Sequence, residues 1–244
     1  MVQGFGNVGY HAAKFLSEED GARITVIAER DGYVANPEGL PVEALKQHLV
    51  QTGSILGFPG AESFAGDMTG LEEPCDIFIP AAMENAIHID NAERIKAHLI
   101  VEAANGPVTF EADRLLRSRG VTILPDLYVS AGGVVVSYFE WVKNLTHIPF
   151  GLMERRRRER RNQTIATALE RMTGKPFPAD MRDEFLEGGA EIDLVRSGLE
   201  DVMRSTWARI ADLLEEQPEL GDYRTTAYIA SIRQIAGAYE AIGI

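Results

Sequence analysis

Residues 4–9 read "GFGNVG", a G-x-G-x-x-G pattern set close to the start of "MVQGFGNVGY" (1–10). Each glycine has a physical task in a dinucleotide-binding turn. The first (Gly4) allows a tight strand-to-helix turn, the second (Gly6) lets backbone approach a pyrophosphate, and the third (Gly9) lets helix and strand pack closely. The helix that follows would offer free N–H groups and its positive dipole end to the phosphates. The motif alone is weak, and its surroundings strengthen it. Residues 8–16 predict a helix with Val8, Ala12, Phe15 and Leu16 on one face, and "RITVIAE" (23–29) predicts a strand buried on both sides. That strand ends in Glu29, 20 residues after Gly9, where a carboxylate would hold the adenosine ribose hydroxyls. Three turn glycines and a solvated strand-end charge are the competing reading, and this setting argues against it. A carboxylate at 29 repels a 2′-phosphate and so favours NAD. Arg30, beside it, is suited to pairing with a phosphate or to standing as an exposed charge, so NADP or dual use stays open.

Working outward, short apolar runs recur at "DIFIP" (76–80), "HLIVEAA" (98–104) and "VTILPD" (121–126). Between them, "IDNAERIKA" (89–97) and "TFEADRLLRSRG" (109–120) predict helices, the second with Phe110, Leu115 and Leu116 apolar and Gly120 at its end. Strands alternating with helices imply a doubly wound, mostly parallel α/β sheet with right-handed crossovers. Beyond about residue 137 the strand signals stop. Helices are predicted over 137–147, 151–174, 191–217 and 225–243, with a proline break at "KPFPAD" (175–180). The third carries a stripe of Leu199, Met203, Trp207, Ile210 and Leu214, the last a stripe of Tyr228, Ile232, Ile235, Tyr239 and Ile242. The expected plan is a dinucleotide-binding domain over 1–135 and an all-helical segment over 136–244.

Composition excludes several classes. Hydrophobic residues make up 45% and charged residues 25% of the 244, an ordinary globular balance. The net charge of −13 disfavours nucleic acid and anionic membranes. The basic run "RRRRERR" (155–161) lies within a helical pattern beside Glu154, which predicts a solvated helix face or a subunit contact. No segment is long and apolar enough to span a bilayer, and no signal-peptide pattern stands at the start. The single cysteine, Cys75, reads as a small buried hydrophobe and suits a reducing cytoplasm. His11, His48, His88, His98 and His147 lack zinc-ligand spacing, so no metal site is expected.

Taken with "GFGNVG", the stretches "NPEGL" (36–40), "CDIFIPAA" (75–82), "VEAANGP" (101–107), "PDLYVSAGGVVVSYFEW" (125–141) and "RSGLEDVMR" (196–204) resemble one family. This is the nucleotide-binding half of the amino-acid dehydrogenases that act on glutamate, leucine, phenylalanine or valine, and "SYFEWVKN" looks like the glutamate members. The resemblance covers essentially the whole chain and implies a Rossmann-type fold. It places Phe5, Asn7 and Val8 in the phosphate turn, and Ala81, Ala82 and Asn105 near the nicotinamide and its ribose. Asn105-Gly106-Pro107 equally fits a plain turn. The resemblance assigns Ser137 to the substrate α-carboxylate and Val134 to the pocket wall, while the alternative for Ser137 is a cap on a helix starting at Tyr138. Ser130 stands where many relatives have asparagine before "AGG"; if that asparagine orients the nicotinamide carboxamide, the contact here is altered or made by the serine hydroxyl.

The family reaction is oxidative deamination: a hydride leaves the substrate α-carbon and water attacks the resulting imine. It needs a lysine of depressed pKa and an aspartate, both from a preceding substrate domain. The lysines here, Lys14, Lys46, Lys96, Lys143 and Lys175, do not follow a Gly-Gly pair, so no catalytic residue is expected in this chain. The first strand is shortened to about three residues, and the substrate half is expected to lie elsewhere. The intact family enzyme implies glutamate as substrate and a homo-oligomer, a hexamer by resemblance. The rival readings are the cofactor half of a leucine, valine or phenylalanine enzyme, and a dinucleotide-binding module without catalysis. The Tyr228–Ile242 stripe is expected to meet the substrate half, the α/β domain or another subunit, to bundle with 191–217, or to stay exposed.

Overall fold

The computed structural model describes residues 1–146, 152–186 and 191–243. Seven strands form one sheet: β1 (Val2–Gln3), β2 (Val26–Glu29), β3 (Gly32–Ala35), β4 (Glu62–Ala65), β5 (Ile77–Pro80), β6 (Leu99–Val101) and β7 (Thr122–Leu124). Their order is β4-β3-β2-β1-β5-β6-β7. The five from β2 to β7 through β1 run parallel, and β3 and β4 turn back antiparallel at one edge.

The crossovers between parallel strands are α1 (Asn7–Glu18), α3 (Ile89–Ala92) and α4 (Phe110–Ser118), while α2 (Val42–Thr52) links the antiparallel β3 and β4. Strand residues alternate between the two faces of the sheet. Val2, Ile27, Val34 and Ile79 join Ala13 and Leu45 on one side. Met1, Val26, Ala28, Phe78 and Ile100 join Ile95 and Leu116 on the other. Both faces are therefore buried, as a doubly wound sheet requires.

Two local expectations change. The face of α1 turned to the sheet carries Gly9 and Ala13, whereas Val8 and Phe15 are exposed. Close packing of helix on strand selects the small residues, and the larger ones are displaced to the flank. The 89–97 helix shrinks to the four residues of α3, and the second strand begins at Val26, with Arg23–Thr25 outside the ladder. In α4, Leu116 is buried as expected but Phe110 is exposed.

The remaining helices are α5 (Asp126–Val129), α6 (Ala131–Thr146), α7 (Leu152–Thr173), α8 (Ala179–Leu186), α9 (Glu191–Glu216) and α10 (Tyr223–Ala241). The chain divides into two compact units: 1–131 with 209–244, and 132–208. The sequence boundary expected at 135/136 thus falls within α6, and α10 belongs to the first unit. In the second unit, Lys143 pairs with Glu191 at 2.6 Å and Glu170 with Arg182 at 2.8 Å. The α9 stripe is half-buried to buried, down to Ile210 at 4% exposure. The α10 stripe instead stands in solvent, with Tyr228, Ile232, Ile235, Tyr239 and Ile242 each more than half exposed. Side chains at 155–158 in the basic run, and His147, lie outside the described residues. No helix among the described residues is long and apolar enough to cross a membrane.

Candidate dinucleotide-binding site

The glycine turn sits at the carboxyl end of β1, in the middle of the sheet. Gly4 adopts φ +87°, a left-handed conformation that side chains resist, and a Cβ there would meet the Ala82 Cβ at 2.9 Å and the Ala81 carbonyl at 3.0 Å. Gly9 is tighter still: an added Cβ would lie 1.9 Å from the Gly4 carbonyl oxygen. Gly6 differs from both. It precedes the first turn of α1, has extended backbone, and faces open space with nothing within 4 Å of a Cβ. The three glycines therefore separate as turn, approach surface and packing contact.

No side chain caps the start of α1, and Asn7 and Val8 are exposed there. The first N–H groups of a helix have no intrahelical acceptor. Gly6, Asn7 and Val8 thus present backbone donors beside an open surface, a donor set that suits a diphosphate.

Glu29 ends β2, the neighbour of β1, and its Oε1 accepts a hydrogen bond from the Phe5 N–H at 2.5 Å. The carboxylate therefore lies against the glycine turn. Arg30 is exposed in the two-residue connection between β2 and β3, where Glu29 pairs with Gly32. Sequence reading missed a second charge at this place. Lys46 on α2 donates from Nζ to the Phe5 carbonyl at 3.0 Å and lies 4.9 Å from the Tyr10 ring centroid. Nearby, Glu43 receives bonds from Lys14 at 2.7 Å and the Tyr10 hydroxyl at 2.5 Å, and the Lys14 contact is the chief cause holding its carboxyl below the ordinary value.

Across β1 from Glu29, Ala81 and Ala82 follow β5, and Asn105 and Gly106 follow β6. The Ala81 N–H donates to the Gln3 carbonyl at 2.8 Å, and the Ala103 N–H to Pro80 at 3.0 Å, which ties these strand ends together. Asn105 is exposed, and Gly106 at φ +52° makes a turn. Ser130 is exposed at the end of α5, its N–H bonded to the Asp126 carbonyl at 2.8 Å. Val134 and Ser137 belong to the second unit, both exposed on α6. Since α6 begins at Ala131, Ser137 lies within the helix and is not the cap of one starting at Tyr138.

Glu102, at the end of β6, is fully buried and bonds Arg224 at 2.6 Å. Burial pushes its carboxyl above the ordinary value against the opposing pull of that arginine. A lone charge in the apolar run "HLIVEAA" was the available signal for it. Cys75 is half-buried with its thiol raised by burial, the behaviour of a packed hydrophobe. A cleft of about 490 Å³ lies at the amino ends of β1 and β5, lined by Met1, Thr25, Cys75, Asp76, Lys96 and His98 among others. That is the end of the sheet opposite the glycine turn, and none of the site residues line it.

A model of the glutamate/leucine/phenylalanine/valine dehydrogenase family matches residues 1–174. A probable glutamate dehydrogenase of Sinorhizobium fredii is 84% identical over 236 residues, 97% of this chain and 53% of that protein. A mitochondrial glutamate dehydrogenase of Dictyostelium discoideum is 44% identical over 243 residues, all of this chain and 48% of that protein. Among solved structures, a hetero-hexameric glutamate dehydrogenase from Thermus thermophilus aligns with a TM-score of 0.73 over all of this chain and 47% of that one. At 24% identity, that likeness is one of fold. The chain spans about half the length of the curated relatives it matches. On the family match and these two relatives, the chain belongs to the glutamate/leucine/phenylalanine/valine dehydrogenase family.

Proposed function

We propose that this chain is the dinucleotide-binding half of an NAD-dependent glutamate dehydrogenase, which converts L-glutamate to 2-oxoglutarate and ammonia. The observation that carries the cofactor reading is the Glu29 carboxylate held at the glycine turn by the Phe5 N–H. Gly6, Asn7 and Val8 bind the diphosphate through backbone donors, and Glu29 accepts from the ribose hydroxyls. Ala81, Ala82 and Asn105 line the nicotinamide side, with Ser130 supplying a hydroxyl. Bound NAD supplies the hydride acceptor. Val134 and Ser137 contact the substrate, and the lysine and aspartate that move protons come from the amino-terminal half present in the relatives. The choice of glutamate over leucine follows the two relatives, both named glutamate dehydrogenases. Preference for NAD over NADP rests on the carboxylate at 29. The working assembly is a cytoplasmic homo-oligomer, a hexamer as the family resemblance implies, whereas the Thermus enzyme of like fold is a hetero-hexamer.

The test joins the amino-terminal half of the Sinorhizobium relative to this chain. The chimera should reduce NAD with glutamate and not with leucine, while the chain alone binds NAD weakly and turns over neither. Turnover with leucine in place of glutamate, an inactive but folded chimera, or activity of the chain alone would each count against the reading.

A further inference from the structure

Burying a carboxylate costs several kcal/mol unless it is well paired, and the position of Glu102 is explained by what it holds. Its Oε1 accepts from Arg224 Nη2 at 2.6 Å, and its Oε2 from the Asp126 N–H at 2.8 Å. Arg224 stands in the first turn of α10. It also reaches Asp126 Oδ1 at 3.3 Å and Asp113 Oδ2 at 3.4 Å. The other Asp126 oxygen, Oδ2, accepts from the Gly106 N–H at 2.8 Å. The Gly106 carbonyl then accepts from the Asn85 N–H at 2.9 Å. Asn85 is held at φ +55°, a left-handed conformation in a residue other than glycine, and such a conformation persists only where its surroundings enforce it.

These bonds form a continuous path from α10 through Asp126 and Gly106 to Asn85. It fixes both loops that carry Ala81, Ala82 and Asn105. The path lies on the β6 and β7 side of the sheet, whereas Glu29 ends β2 on the other side of β1. A second arginine, Arg117, shares Asp113 with Arg224, at 2.5 Å from Oδ1, and pairs with Asp222 at 3.2 Å; it also fastens α10 but makes no bond to either loop.

We propose that Arg224 is a positioning residue that, through Asp126, sets the nicotinamide side of the dinucleotide site and leaves the adenosine side independent. This rests on the cofactor reading above. The test is saturation-transfer NMR of NAD with the chain, which registers weak binding and reads adenine and nicotinamide protons separately. The wild type should show saturation at both ends. Arg224→Gln and Asp126→Ala should each cut nicotinamide saturation by about threefold or more, because a site half an ångström loose no longer holds its ligand. Adenine saturation should be unchanged. Arg117→Ala should lower Tm and leave the ratio of the two ends as in the wild type. Asp126→Ala keeps the Arg224–Glu102 bond, so it tests the path even where Arg224→Gln fails to fold. Equal losses at both ends, an unchanged ratio in a folded Asp126→Ala chain, or a wild type saturated only at adenine overturns the inference and spares the cofactor reading. A wild type with no adenine saturation overturns both.

Discussion

The Glu29 carboxylate and the Phe5 amide meet at 2.5 Å, across the gap between the end of β2 and the turn after β1. On the proposed cofactor reading, this one bond puts an acidic group beside the ribose and a negative charge where a 2′-phosphate would have to fit. Glu29→Gln preserves an acceptor for the Phe5 N–H and removes the charge. The NADP-to-NAD affinity ratio should rise by about tenfold, or ~1.4 kcal/mol. Competition between the two ligands in calorimetric titration measures it, and an unchanged ratio would separate Glu29 from cofactor choice.

The glycines divide into two kinds, and alanine substitution tells them apart. Gly9→Ala drives a Cβ into the Gly4 carbonyl, a backbone atom that moves only if α1 leaves β1. Overpacking of this severity costs about 3 kcal/mol or more. For a chain of this size that lowers Tm by about 6–12 °C. Gly6→Ala meets nothing, and loss of the N-cap glycine costs less than about 1 kcal/mol. It should keep Tm nearly intact and abolish NAD binding, since the new methyl occupies the approach surface of the diphosphate. A Gly6→Ala chain that still binds NAD would place the phosphates elsewhere.

Tyr33 gives the fold a signature at high pH. It is 3% exposed, its ring stacks on Phe64 at 4.3 Å, and its hydroxyl donates to Glu73 at 3.1 Å. Burial first, then the Glu73 bond, pushes the phenol up to about 12. The folded chain therefore keeps a proton that the unfolded chain releases from about pH 10. The associated stability is fully present below about 10 and is lost as pH rises through about 12. In an alkaline absorbance titration one tyrosine, Tyr33, should ionise near pH 12. Tyr33→Phe should remove that step and flatten the fall in Tm above pH 10. An identical titration curve for the variant would contradict the assignment.

The legible parts of the fold were those whose signal is local. The glycine spacing, the acidic strand end and the both-faces-buried strands are written in consecutive residues, and β2, β5, β6 and β7 all lie within the stretches that predicted them. Three features depended on contacts that no local period reveals. In β3, "GYVA" (32–35) is too short to show a period, and it becomes a strand because Tyr33 pairs opposite Ala28 and Phe64. The face of α1 was misread because hydrophobic periodicity rewards Val8 and Phe15. Contact with the Gly4 turn instead demands the smallest residues. The network around Arg224 unites positions 102, 113, 126 and 224, a constellation without any sequence spacing to reveal it.

Lys46 was legible as a lysine and not as a neighbour of the turn, because the helix that carries it went unrecognised. Its Nζ donates to the Phe5 carbonyl while Glu29 accepts from the Phe5 N–H, so one residue of the turn is clamped by opposite charges from two elements. Lys46→Met keeps an unbranched side chain beside Tyr10 and deletes the charge. Losing that hydrogen bond should cost about 1 kcal/mol in stability. The charge also stands beside the turn proposed to hold the diphosphate, so NAD and ADP should weaken together. The deficit should be largest near 0.01 M ionic strength and shrink near 1 M, where the Debye length falls from about 30 to about 3 Å. Calorimetric titration at the two ionic strengths measures it. A deficit that did not change with salt would assign Lys46 to shaping the turn alone, and one confined to NAD would move its influence to the nicotinamide side.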